Sequence, residues 1–181
     1  MKFNFNHVTM FLLLIINLDM FYNFYESTHG QKINMFHEKK CAKKWILNSI
    51  NSGDFMLQIN ANFENLIKEP TIKLKLMLAK LLPCINNVNV YKNNRTKKKN
   101  AIAYVMPILN KKKMWVVSKH WDTMVIEERT YTLIHECTHL ALDTKDYAYW
   151  GEDKYSYLRG YNATHNADSI SKIISNINIH C

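Results

Sequence analysis

The sequence predicts an α+β fold: one mostly helical domain with a small sheet packed against a single functional helix near residues 130–142. Three observations predict it. Apolar residues recur at helical spacing through the first half, two short β-rich stretches follow at 101–106 and 114–117, and a second set of helical patterns closes the chain.

The first thirty of the 181 residues read as a targeting segment. Lys2 and His7 precede a mainly apolar run from Val8 to Leu18, which has the length of a signal-peptide core and is too short to span a bilayer. Thr28-His29-Gly30 offers small residues at the two key cleavage positions. Residues 1–30 are therefore expected to be a signal peptide and residues 31–181 a single domain, the alternative being a buried N-terminal helix. No other segment is apolar enough to cross a membrane.

From Glu38 to Ile50, Cys41, Trp45, Ile46 and Ile50 share a helical face, and Asn51-Ser52-Gly53 ends that helix. A second helical pattern covers about Phe55 to Ile67. Pro70 can open a third, carrying Ile72, Leu74, Leu76, Leu78, Leu81 and Leu82, which Pro83 closes. These leucines are core, and nothing in this half looks catalytic. Tyr91 to Asn100 reads as an exposed loop. Ala101–Met106 and Met114–Val117 read as two strands joined by Asn110 and a lysine triplet. A helix follows from about Thr130 to Leu142, with a threonine as N-cap, and a last amphipathic helix spans Ala167 to Ile177.

The net charge is +9, and cleavage before Gln31 removes one basic and two acidic residues, leaving the domain more basic still. Such a surface attracts acidic partners or anionic cell surfaces. The triplets Lys97–Lys99 and Lys111–Lys113 are read as solvated loops, so no nucleic acid partner is expected. An even count of four cysteines in a secreted chain suggests two disulfides, with three possible pairings among Cys41, Cys84, Cys137 and Cys181. Asn94 and Asn162 head glycosylation sequons.

The chemistry concentrates at His135-Glu136-Cys137-Thr138-His139. Two histidines four apart lie on one helical face and can hold a zinc ion, with the intervening glutamate as general base. Cys137 points away from that face and is a core or disulfide residue. The bland alternative is a pair of core histidines beside a solvated glutamate. A catalytic zinc uses a third protein ligand. A histidine at the metzincin spacing is excluded, because Leu142 and Lys145 stand at the required positions. Glu152 lies in a loop-like Gly-Glu-Asp stretch. Asp143, Asp146, Asp153, Asp168, His165 and His180 remain. Asp143 is near the helix end, where a cap or surface role is simplest. Asp146 lies just past that end, where a chain reversal could return its carboxylate to the metal.

The stretch resembles the aspzincin metallopeptidases, the deuterolysin and peptidyl-Lys metalloendopeptidase family. That family combines H-E-x-x-H with a downstream G-T-x-D-x-x-Y-G, and here Thr144, Asp146 and Tyr149 match in register. Thr132–Glu136 and Asn166-Ala167-Asp168 are similar to its lysine-specific branch, and Ala103-Tyr104-Val105 and Trp121 stand near its edge strand and an aromatic position. The likeness is good over about residues 101–177. It implies a zincin-like fold, a Zn2+ cofactor held by His135, His139 and Asp146, catalysis by Glu136, and Tyr149 as hydrogen-bond donor to the oxyanion. It also implies Asp168 as an acid lining the pocket for the residue after the scissile bond. Asp143 and Trp150 replace the two family glycines, with Gly151 one place later. Ser171 stands where lysine-specific members carry a glutamate. The edge strand at Ala103–Met106, with Tyr104 in it, is expected to meet an extended substrate backbone.

The expected protein is a secreted, extracellular zinc endopeptidase, acting as a monomer on proteins or peptides and preferring Lys or Arg after the cut. The alternative is a catalytically weak or inactive secreted binding protein that keeps the fold.

Overall fold

A computed structural model describes residues 30–53, 71–93, 101–108, 110–178 and 180–181. The segment expected to be a signal peptide, apart from Gly30, lies outside the described residues, as do the helical pattern at 55–67, Pro70, the sequon at Asn94 and the first lysine triplet.

Chain order runs β1 (Gln31–Lys32), α1 (Phe36–Asn51), α2 (Thr71–Ala79), α3 (Leu81–Asn87), β2 (Asn89–Asn93), β3 (Ala103–Val105), β4 (Lys113–Val117), α4 (Ser118–Trp121) and α5 (Ile126–Leu142). A 3-10 turn at Asp153–Tyr157 precedes α6 (Gly160–Thr164) and α7 (Ala167–Ile177). The strands form one mixed sheet in the order β1-β2-β4-β3, with β2 parallel to β4 and β3 antiparallel to it.

Helix α1 buries Cys41, Ala42, Trp45 and Ile46, a stripe at spacings of one helical turn. It packs with α3 and α7 around α5. On α5, Leu133, Ile134 and Cys137 face that core, each no more than 1% exposed. His135, Glu136 and His139 fall about half a turn away, on the side toward β3. The sheet covers the core with Val90, Met114 and Val116, while its other face carries a row of stacked rings, Tyr91, Trp115 and Tyr104.

Disulfides join Cys84 to Cys137 and Cys41 to Cys181. The first ties α5 to α3 behind the histidines. The second pins the C-terminus to α1.

Several elements differ from the sequence reading. Residues 89–93 are a strand between β1 and β4, not the start of a loop, because Val90 is buried among the helices although its flanks are polar. Leu76, expected in the core, is 60% exposed on the face opposite the buried Leu74 and Leu78. The helix expected to end at Pro83 breaks at Lys80 instead, and Pro83 sits in the first turn of α3. A first-turn residue has no intrahelical N–H partner to lose, so proline is tolerated there. Helix α5 begins at Ile126, not near Thr130, and Glu128 reaches back to accept the Val125 N–H at 3.1 Å. Thr130 is fully buried in its middle. The closing helix matches the expected span. Among the described residues no helix is long and apolar enough to cross a membrane.

Candidate active site

Helix α5 and the loop after it build the site from opposite sides. The two histidines stand one turn apart with ring centroids 5.0 Å from each other. The helix stops at Asp143, whose φ of 54° and ψ of 35° are left-handed. Aspartate tolerates this conformation far better than a β-branched residue, which explains how it serves where the related motif has glycine. The second replaced glycine is relieved one place on: Gly151 takes φ +94° and Trp150 needs no positive φ.

The left-handed residue turns the chain back so that Asp146 Oδ1 lies 3.1 Å from His135 Nε2 and 3.3 Å from His139 Nε2. Donor atoms of all three residues lie within 4.8 Å of one another. Ligands about 2.0–2.1 Å from a tetrahedral ion lie roughly 3.3 Å apart, so the Asp146 contacts suit a zinc-sized cation. The ring tautomer suits it as well. His139 Nδ1 is 2.9 Å from the Thr144 carbonyl, which can only accept, so Nδ1 carries a proton and Nε2 is the nitrogen that would face a metal once its own proton is lost. The Thr144 hydroxyl is itself held by Thr138 at 2.7 Å.

Burial works against charge on both partners, yet their mutual contacts win. The hydrogen bonds from His135 and His139 hold Asp146 far below the usual carboxylate range. His139 is raised by Asp146, by the Glu136 charge and by the Thr144 carbonyl.

Side chains from the C-terminal part fix the loop carrying Asp146. Asn166, fully buried, accepts the N–H groups of Tyr147 at 2.9 Å and Ala148 at 3.2 Å and donates to the Ala148 carbonyl at 2.8 Å. Lys145 and Asn166 form a parallel bridge, with Lys145 N–H on the His165 carbonyl and Ala167 N–H on that of Lys145. Glu152 accepts the Tyr149 N–H at 2.8 Å and Asp168 that of Trp150 at 2.7 Å. Glu152 is therefore a support for the loop. The sequence assigns no role to Asn166, although Asn166-Ala167-Asp168 belongs to the stretch similar to the family's lysine-specific branch.

A cavity of about 600 Å³ opens over the cluster, lined by β3, α5 and the loop, and it holds Glu136, Tyr149 and Asp168 together with the three donors. Glu136 is 6% exposed. Tyr149 stacks at 5.9 Å on His135, and burial with the Asp146 charge pushes its pKa upward. Asp168 is 4% exposed, and both its oxygens already accept hydrogen bonds, from Tyr131 and from Trp150. Ser171 is fully buried with its hydroxyl on the Ala167 carbonyl, and it does not line the cavity.

Strand β3 is the sheet edge beside the cavity. Val117 N–H donates to the Ile102 carbonyl, so by antiparallel alternation Tyr104 also bonds to β4 while Ala103 and Val105 turn their backbone groups outward. The Tyr104 ring stacks 5.6 Å from Trp115 and its hydroxyl accepts from Asn93. Of the other residues weighed as ligands, Asp143 is exposed beside Lys145 at 3.6 Å. His165 stacks on Tyr161 and His180 lies in the C-terminal tail, whose carbonyl there accepts from Trp45. Among the described residues only His135, His139 and Asp146 form a group able to hold a metal ion.

A His-His-Asp donor set with a buried glutamate beside it, under an open strand edge, defines a metal-dependent peptidase. The comparisons agree: the family described as lysine-specific metallo-endopeptidase, the aspzincins, matches residues 58–172, and the chain belongs to it. Among solved structures the fold is similar to a zinc peptidase from Grifola frondosa, at 18% identity and a TM-score of 0.59, covering 78% of this chain and 93% of that one. A search of curated protein sequences returns no match.

Proposed function

We propose that the chain is a secreted zinc endopeptidase in which His135, His139 and Asp146 hold the ion. The observation that carries this reading is the meeting of those three donors with Glu136 in one cavity. Zinc there would polarise the scissile carbonyl and make water a usable nucleophile near neutral pH. Glu136 takes the proton of the attacking water and returns it to the leaving amine. The Tyr149 phenol donates a hydrogen bond to the oxygen on which negative charge develops. Ala103 and Val105 pair with the extended substrate backbone, with Tyr104 and Trp115 stacked behind them as a stiff support. Asp168 biases the residue after the cut toward Lys or Arg, because a shielded carboxylate attracts a cation. The disulfides fit an oxidising, extracellular location.

The test is Glu136→Gln, followed by metal analysis and cleavage of an unstructured protein. The variant should keep its metal and lose about 10²–10⁴ in rate, the worth of a general base. Near-parental cleavage by the metal-loaded variant would contradict the mechanism. Equal inactivity of parent and variant would instead favour a binding protein that keeps the peptidase fold.

A further inference from the structure

Asp168 is the acid that the proposed function places in the pocket after the scissile bond, yet its charge is already engaged inside the protein. One oxygen accepts the Tyr131 hydroxyl at 2.5 Å and the other the Trp150 N–H at 2.7 Å. Tyr131 lines the same cavity and is only partly buried. The residue one helical turn on that could add a second charge is Ser171, and its hydroxyl is committed to the Ala167 carbonyl.

We infer that Tyr131 sets the selectivity of this pocket: by donating its hydroxyl to Asp168 it satisfies the carboxylate within the protein, so that neutral residues are accepted after the cut beside basic ones. The inference rests on the reading of Asp168 as the pocket acid. The physical reason is the cost of a buried charge with too few partners. Without the phenol hydroxyl, Asp168 keeps the Trp150 N–H and lacks a donor on the cavity side. A neutral substrate residue then leaves that oxygen unpaired, whereas an ammonium or guanidinium group restores the bond. Tyr131 is thus a positioning residue that acts on substrate through Asp168.

The experiment digests one denatured protein mixture with the zinc-loaded parent, Tyr131→Phe, Asp168→Asn and the double variant, and maps the cut sites by mass spectrometry. Competition among bonds in one mixture makes the enrichment of Lys and Arg after the cut independent of how much enzyme is folded. Tyr131→Phe should raise that enrichment about tenfold, the scale of one charge-assisted hydrogen bond. Asp168→Asn should remove it in both backgrounds. Inhibition by n-butylamine should strengthen in Tyr131→Phe in parallel. If Asp168→Asn removes the enrichment while Tyr131→Phe leaves it unchanged or lowers it, the role given to Tyr131 is wrong. If Asp168→Asn leaves the parental enrichment intact, the pocket assignment of Asp168 is wrong, and the role of Tyr131 falls with it.

Discussion

The two halves of the candidate metal site are held by different physics. His135 and His139 ride on α5, where helical periodicity aligns them and a buried core with the Cys84–Cys137 disulfide fixes the helix from behind. Asp146 rides on an irregular loop whose backbone polar groups are satisfied by side chains from residues 152–168. One half is local and over-determined by regular structure. The other depends on long-range hydrogen bonds, of which the buried Asn166 amide makes the largest share. A loop held this way can be loosened without unfolding the helix, so the halves should respond differently to substitution.

Asn166→Ala is the largest expected separation of the two. It leaves Tyr147 N–H, Ala148 N–H and the Ala148 carbonyl without their partner, and each buried unsatisfied group costs about 1–3 kcal/mol. Metal affinity should fall by about 10–100-fold, as for other residues that orient a ligand. Replacing both Cys84 and Cys137 by Ala should instead lower stability by about 2–5 kcal/mol, while the protein that remains folded binds metal near the parental affinity. Thermal unfolding and metal titration on the same samples check this. A disulfide variant with weakened metal binding and normal stability would break the distinction.

The pH response sharpens it further. In the metal-free protein His139 is raised above 6.5, so its pairing with Asp146 stabilises fully below 6.5 and is lost as pH rises through the raised value. Asp146 is depressed below 3.8, so its contribution is present above 3.8 and is lost as pH falls toward the depressed value. Metal binding needs the proton removed from His139. Raising the pH above 6.5 should therefore lower the stability of the metal-free protein and raise metal affinity together. Denaturation of the metal-free protein and metal titration across pH 6–9 would show whether the slopes are opposed.

The smallest effect belongs to the hinge between the halves. Asp143→Gly should change stability by no more than about 1 kcal/mol, because glycine adopts φ +54° freely and the exposed ion pair with Lys145 is worth little. Asp143→Val should be worse, since a β-branched side chain resists that conformation. Thermal melts of the two variants compare them directly.

The same division governs what the sequence made legible. The face shared by His135 and His139, the last helix and the exclusion of Cys137 from the ligands all follow from periodicity alone. Asp146 does not. Its place depends on a left-handed residue and on Asn166, twenty positions later, so residue spacing left several acids open and only the family likeness singled it out. Strand β2 escaped notice because one buried valine among polar neighbours makes too weak an alternation, and its strand state comes from pairing on both sides. The committed hydroxyl of Ser171 and the Tyr131–Asp168 bond are tertiary contacts that no local pattern encodes.

The measurement that bears most directly on the central claim is the zinc content of parent, Asp146→Asn and Asp143→Asn after dialysis against buffered free zinc. The parent and Asp143→Asn should each retain one ion per chain, while Asp146→Asn should lose it, weakened by more than about 100-fold, beyond the range seen when only an orienting partner is removed. Retention of the ion by Asp146→Asn, or its loss from a folded Asp143→Asn, would contradict a metal site closed by Asp146.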